Sequence, residues 1–163
     1  MHAVGAQKRS GGQKGGTMKV ERTIEIRARA GKIWPYFVEP EKVLQWYSTF
    51  RKFEFTGRKR SGAGTTVYVE EQAGGPLMKI HFKASVWRKN EKLALQMVSG
   101  SGVKSYRQVW SLRPTRSGTR FTLMEEIEFP MGIFGKLIGL IAQGMSKSTV
   151  DKIQLKLKAL AEA

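Results

Sequence analysis

The chain contains no cysteine, which excludes disulfide bonds and thiolate metal sites. Histidine is also scarce: the sequence has His2, near the N-terminus, and His81, and two histidines argue against a histidine-based metal site or a catalytic triad. Acidic residues number 13 against 29 Lys and Arg, so the net charge is +16. The composition therefore argues against an enzyme that uses a thiolate or histidine metal site or a catalytic triad. The positive net charge favours attraction to anionic partners.

The sequence also lacks a long hydrophobic run. Its N-terminal segment has no apolar stretch of about seven to fifteen residues, the length that a signal peptide requires. The most apolar window, residues 131–145, is shorter than the roughly twenty residues that cross a bilayer, and it is interrupted by glycine. We therefore expect a cytoplasmic protein without a transmembrane segment.

The length and composition predict one folded domain preceded by a tail. A chain of 163 residues with 40% apolar residues can bury a sizeable core. Residues 1–17 are rich in Gly, Lys and Gln and contain little to bury, so we expect a disordered basic leader. Residues 18–163 are expected to form a single domain.

Alternating apolar and polar residues predict a sheet of seven strands. Between the first two strands, aromatic and aliphatic residues at helical spacing predict two short helices, over 30–38 and 41–46. Short turn-forming links join the later strands, so an antiparallel meander is expected. The predicted strands are residues 18–28, 50–56, 65–72, 77–87, 92–99, 104–113 and 119–129.

The last forty or so residues predict one long helix that follows the strands. Ile141 and Met145 continue an apolar stripe with Phe134 and Ile138, and a second stripe begins at Val150. The two stripes lie on different sides of the helix, and a bend is expected at Gly144, between them. An α+β fold follows, in which a curved seven-stranded antiparallel sheet wraps around the C-terminal helix.

Several stretches resemble the SRPBCC superfamily of START-like and birch-pollen-allergen-like proteins, in its polyketide cyclase/dehydrase branch. The resemblance implies a helix-grip fold whose internal cavity takes an apolar ligand such as a lipid, sterol, aromatic compound or polyketide. Some relatives cyclise their ligands, others carry or sense them, and some associate with ribosomes or chaperones. The matching stretches are residues 24–26, 30–43 with Trp46, 62–65, 110–114 and 118–122.

Strand alternation indicates which side chains would face such a cavity. Gln108 and Glu125 would orient the polar end of a ligand among apolar neighbours. The alternative is a solid core in which Glu125 pairs with Arg or Lys at the rim, because a lone carboxylate on an apolar face is costly. His81 is expected to point outward. The predicted cavity residues are Ile80, Phe82, Met97, Tyr106, Gln108, Trp110, Leu123, Glu125, Phe134 and Ile138.

The function that this pattern favours is binding or carriage of a hydrophobic small molecule, and we assign no catalytic residue, cofactor or metal. One alternative is a polyketide cyclase/dehydrase-type enzyme in which Glu125, with Tyr106, acts as general acid. Another is an interaction module for RNA, a ribosome or an anionic membrane; stacking with bases would need Phe53, Phe55 or Trp87 to be exposed. Its basic surface would consist of Arg51, Lys52, Arg58, Lys59 and Arg60.

Overall fold

The seven predicted strands form one antiparallel sheet in the computed structural model, which describes residues 16–130 and 135–163. Consecutive strands from β2 to β7 are neighbours, and β1 pairs with β7, so the sheet order is β1-β7-β6-β5-β4-β3-β2. The meander and the α+β class are confirmed. The strands are β1 Thr17–Ile26, β2 Phe50–Phe55, β3 Thr66–Glu71, β4 Met78–Arg88, β5 Lys92–Gly100, β6 Ser105–Pro114 and β7 Thr119–Glu128.

The first strand begins one residue earlier than the predicted domain. Thr17 pairs with Glu128, and the carbonyl oxygen of Gly16 accepts a hydrogen bond of 3.0 Å from the amide of Phe129. These backbone contacts attach the start of β1 to the end of β7. Residues 1–15 of the predicted leader lie outside the described residues.

Three short helices, where the sequence predicted two, connect β1 to β2: α1 Ala30–Ile33, α2 Pro35–Val38 and α3 Pro40–Trp46. The first predicted helix is divided because Pro35 has no amide hydrogen to donate and instead begins α2. Pro40 begins α3 in the same way, at a first position where the missing amide costs nothing.

The C-terminal helix consists of two parts, α4 Gly135–Gly144 and α5 Lys147–Glu162, so the loosening predicted at Gly144 is a break. Two interactions explain its position. A Cβ atom at Gly144 would overlap the carbonyl oxygen of Ala73, which shows how closely the loop after β3 approaches the end of α4. Ser146 then begins the second part: its side chain accepts a hydrogen bond of 3.2 Å from the amide of Thr149.

Helix α5 closes the core by packing against β1 and α3. Its apolar stripe, which includes Val150, Ile153 and Leu157, is fully buried. Polar contacts also attach the helix to the sheet. Arg22 of β1 makes a bidentate ion pair with Asp151, with an Nε to Oδ1 distance of 2.7 Å. The sheet therefore grips the C-terminal helix along its β1 side, as a helix-grip fold requires.

A buried carboxyl cluster beside an apolar pocket

Three predicted site residues form a hydrogen-bonded chain on the inner face of β6. Trp110 donates its indole N–H to Gln108 Oε1 over 2.9 Å, and Gln108 Nε2 donates to the hydroxyl of Tyr106 over 2.6 Å. The Tyr106 hydroxyl in turn donates to Glu71 Oε2 over 2.9 Å. The alternation of β6 places these side chains on one face, and all of them are buried.

Glu71, at the end of β3, is a functional candidate that the sequence analysis missed. Its side chain is buried, and Thr49 donates a hydrogen bond of 3.0 Å to its Oε1 atom. Burial raises the pKa of Glu71 to about 7, although the hydrogen bonds from Tyr106 and Thr49 act in the opposite direction. Alternation with Val67 and Val69 could have revealed it, because all three share the inner face of β3.

Glu125 of β7 is the second interior carboxyl group, and its side chain is 2% exposed. Tyr47, which follows α3, donates its hydroxyl to Glu125 Oε1. Burial raises the pKa of Glu125 to about 8. The sequence left open whether Glu125 lies inside or pairs with a cation at the rim, and the structure places it inside.

The two carboxyl groups belong to one group of side chains. Gln108 lies directly opposite Glu125 on neighbouring strands, and the rings of Tyr47 and Trp110 stack with centroids 5.6 Å apart. Burial, the charge of Glu71 and the hydrogen bond to it raise the pKa of Tyr106 well above its ordinary value. We refer to this group as the carboxyl cluster; it consists of Tyr47, Thr49, Glu71, Tyr106, Gln108, Trp110 and Glu125.

The apolar residues predicted for the cavity surround this cluster. Ile80, Phe82 and Leu123 are fully buried, and the ring of Phe82 lies 5.2 Å from that of Tyr106. Met97 pairs with Phe82 across β4 and β5 and is partly buried, as is Ile138 of α4. The last residue of the predicted set, Phe134, lies outside the described residues.

A small apolar pocket of about 10 Å³, roughly the space of one water molecule, adjoins the cluster on the side of β2 and α2. Its wall includes Phe37 and Leu95. The ring of Phe37 lies 5.3 Å from that of Trp110, and Leu95 is the cross-strand partner of Gln108. The pocket and the carboxyl cluster therefore share a wall, although the predicted cavity residues are not the ones that line the pocket.

The aromatic rings considered for stacking with bases face this pocket. Phe53 is 3% exposed, and Phe55 and Trp87 are partly buried and line the pocket. Trp87 faces inward because a bulge in β4, between Ala84 and Val86, shifts the alternation by one residue. Phe53 is therefore not available for stacking on the basic surface, and Phe55 and Trp87 are only partly exposed.

The basic surface itself is exposed, apart from Lys52, which is half-buried. Part of its charge has local partners: Arg51 donates to the carbonyl of Ser48, and Lys52 lies 3.8 Å from Glu54. Arg60 lies over the ring of Phe55 at 5.3 Å. The expected anionic partner stays a prediction.

His81 is exposed on the outer face of β4, 5.0 Å from the ring of Tyr68, which agrees with the predicted outward orientation. Within residues 16–130 and 135–163, no helix has the length and apolar character needed to cross a membrane.

Comparison with known proteins identifies the family. A family model described as polyketide cyclase / dehydrase and lipid transport matches residues 17–162. No curated protein sequence matches the chain. Among solved structures, a START superfamily protein from Mycobacterium smegmatis shares 16% identity and a TM-score of 0.70, with 88% of this chain and 97% of that chain covered.

Two other structures show the same fold. A protein from Thermus thermophilus has 20% identity and a TM-score of 0.69, with 90% of this chain and 97% of that chain covered. Norcoclaurine synthase from Thalictrum flavum, in complex with dopamine and hydroxybenzaldehyde, has 16% identity and a TM-score of 0.62, with coverages of 98% and 95%. The chain belongs to the polyketide cyclase/dehydrase and lipid transport family, within the SRPBCC superfamily of helix-grip proteins.

Proposed function

We propose that this protein binds and carries a hydrophobic small molecule in the interior between its sheet and its helices. The observation that carries the proposal is the shared wall between the apolar pocket and the carboxyl cluster. Ligand sites in proteins are mostly apolar and contain a few convergent polar groups that fix the orientation of the ligand. The family to which the chain belongs includes lipid transport in its description.

The geometry suggests how such a ligand would lie. Its apolar body would contact Phe37 and Leu95 in the pocket, and Phe82 beyond them. Its polar end would meet Gln108 and Glu125. The pocket of about 10 Å³ is far smaller than the ~300–1,000 Å³ of drug-sized sites, so a ligand that enters would have to displace side chains between the sheet and the helices.

Small aromatic compounds are the first probes to test. The similar fold of norcoclaurine synthase holds dopamine and hydroxybenzaldehyde, which are small aromatic compounds. Binding of 1-naphthalenemethanol would be followed by tryptophan fluorescence and by the melting temperature. Mass spectrometry of the protein purified under native conditions would identify any compound that copurifies with it.

Matched variants locate the site. Ala84→Leu fills the pocket from its wall and is expected to weaken binding about tenfold, or 1.4 kcal/mol. Phe82→Ala is expected to change the affinity by a similar factor, since it removes a ring that packs against Tyr106 and whose cross-strand partner, Val67, lines the pocket. Val98→Leu, at a position 58% exposed on β5, is the control and should bind normally. If a diverse panel of lipids and aromatic compounds leaves fluorescence and melting temperature unchanged, the proposal is wrong.

The carboxyl cluster also favours a second candidate, a polyketide cyclase/dehydrase-type enzyme. A carboxyl group with a pKa of about 8 retains its proton at neutral pH, so Glu125 could supply that proton to an enolisable substrate as general acid. Loss of turnover in Glu125→Gln, with binding retained, would support this candidate. Binding without turnover of any polyketide-like substrate would favour the carrier.

A further inference from the structure

The two interior carboxyl groups have no opposite charge beside them. In the part of the chain that the structure describes, neither Glu71 nor Glu125 takes part in a salt bridge, and the buried side chains include no Lys or Arg. The contrast with the net charge of +16 is large. Lys and Arg are abundant in the sequence, yet the charged residue types buried in the described core are the two glutamates, Glu71 and Glu125.

The two groups differ in how their oxygen atoms are used. Both oxygens of Glu71 accept hydrogen bonds, one from Thr49 and the other from Tyr106. Glu125 accepts one, from Tyr47 to Oε1, and among the described residues no donor reaches its Oε2 atom. Within the described residues, Oε2 of Glu125 is therefore not engaged by a hydrogen-bond donor of the protein, whereas both oxygens of Glu71 are.

We propose that the interior selects ligands that carry an amine on an apolar body, with Glu125 as the counter-ion of the ammonium group. The inference rests on the proposed function, because it names the class of ligand for the same site. Pairing with an ammonium group offsets the cost of burying the carboxylate. A fatty acid or another carboxylate would instead bring a third acid beside Glu71 and Glu125.

The proton balance follows from the groups around Glu125. Among the described residues, the titratable group within hydrogen-bonding reach of Glu125 is Tyr47. Glu71 and Tyr106 are the other titratable members of the carboxyl cluster. Arg22, on the adjacent strand β1, is paired with Asp151. Near neutral pH the free protein holds a protonated Glu125, whose pKa is about 8. When the ammonium group arrives, the O–H bond of Glu125 breaks and its proton leaves to solvent, while an ammonium N–H donates to the carboxylate.

Three naphthalene derivatives test the selectivity on the full chain: 1-naphthylmethylamine, 1-naphthalenemethanol and 1-naphthoate. Titration calorimetry near pH 7 should show the amine binding at least about tenfold tighter than the alcohol, and the carboxylate about tenfold weaker. If the alcohol binds as tightly as the amine, the inference fails while the proposed function stands. If none of the three binds, the inference fails, and the diverse panel of lipids and aromatic compounds decides the proposed function.

Proton release gives a test that needs no variant. Binding of the amine, measured in Tris and in phosphate, should release close to one proton per ligand, whereas the alcohol should release none. As pH rises towards the pKa of Glu125, about 8, the affinity for the amine should increase by up to about tenfold per unit. Equal proton release by amine and alcohol, or an amine affinity independent of pH, would overturn the inference.

A pair of variants then assigns the effect to one residue. In Glu125→Gln the ratio of amine affinity to alcohol affinity should fall about tenfold, because glutamine resembles the protonated acid in size and polarity but cannot become an anion. Glu126→Gln, the adjacent residue on the outer face of β7, is the matched control and should behave as the unmodified protein. An amine preference that survives in Glu125→Gln contradicts the assignment of the counter-ion.

Discussion

Replacing Glu125 by glutamine should change how the stability of the protein depends on pH. In the folded chain burial raises the pKa of Glu125 from its ordinary 4.5 to about 8. Between these two pH values the unfolded chain has lost a proton that the folded chain retains. Because the folded state binds more protons there, the free energy of unfolding falls as pH rises through this window and levels off above about 8.

The magnitude follows from the width of that window. Each pH unit is worth about 1.4 kcal/mol for one proton, so the loss assigned to Glu125 is on the order of 4 kcal/mol between pH 4.5 and 8. Glu71, whose pKa is about 7, adds a loss of its own over a narrower window. Its contribution is present in both proteins and cancels when they are compared. Glu125→Gln should therefore match the unmodified protein near pH 4.5 and exceed its stability by about 4 kcal/mol at pH 8.

Urea denaturation at half-unit pH steps measures this difference directly. The midpoint of Glu125→Gln should move away from that of the unmodified protein as pH rises, with little change in the m-value. Glu126→Gln, on the outer face of the same strand, removes the same formal charge and controls for the net charge of +16. Stability curves that stay parallel for Glu125→Gln and the unmodified protein would show that the carboxyl group is ionised in the folded state, and would refute the reasoning.

Two other changes test contacts that hold the final helices. Gly144→Ala should destabilise the protein by about 1–3 kcal/mol because the added methyl group meets the backbone of Ala73. Gly139→Ala is the control: it has open space around it and should be neutral or stabilising. Comparable melting temperatures for the two variants would contradict this packing. A double-mutant cycle of Arg22→Ala and Asp151→Ala should give a coupling energy of about 0.5–1 kcal/mol, because both side chains are partly exposed. A coupling energy of zero would show that the ion pair does not stabilise the attachment of α5.

The sequence predicted the fold class because its signals are local. Alternation in β6 and β7 has a period of two residues, which is enough to place Tyr106, Gln108 and Glu125 on one face of the sheet. Glycine and proline between the strands marked the turns of the meander. A single inserted residue defeats this reasoning: the bulge in β4 turns Trp87 inward, and alternation alone could not show it.

The functional pairings depended on distances across the fold that no local pattern contains. Tyr106 and its partner Glu71 are 35 residues apart in the chain, and Tyr47 and Glu125 are 78 apart. The sequence by itself determined the order of the elements and which side chains share a strand face, because both follow from backbone periodicity. The tertiary structure decided that two carboxyl groups share one core without a described cation, because their neighbours, burial and raised pKa values arise from the packing of separate strands.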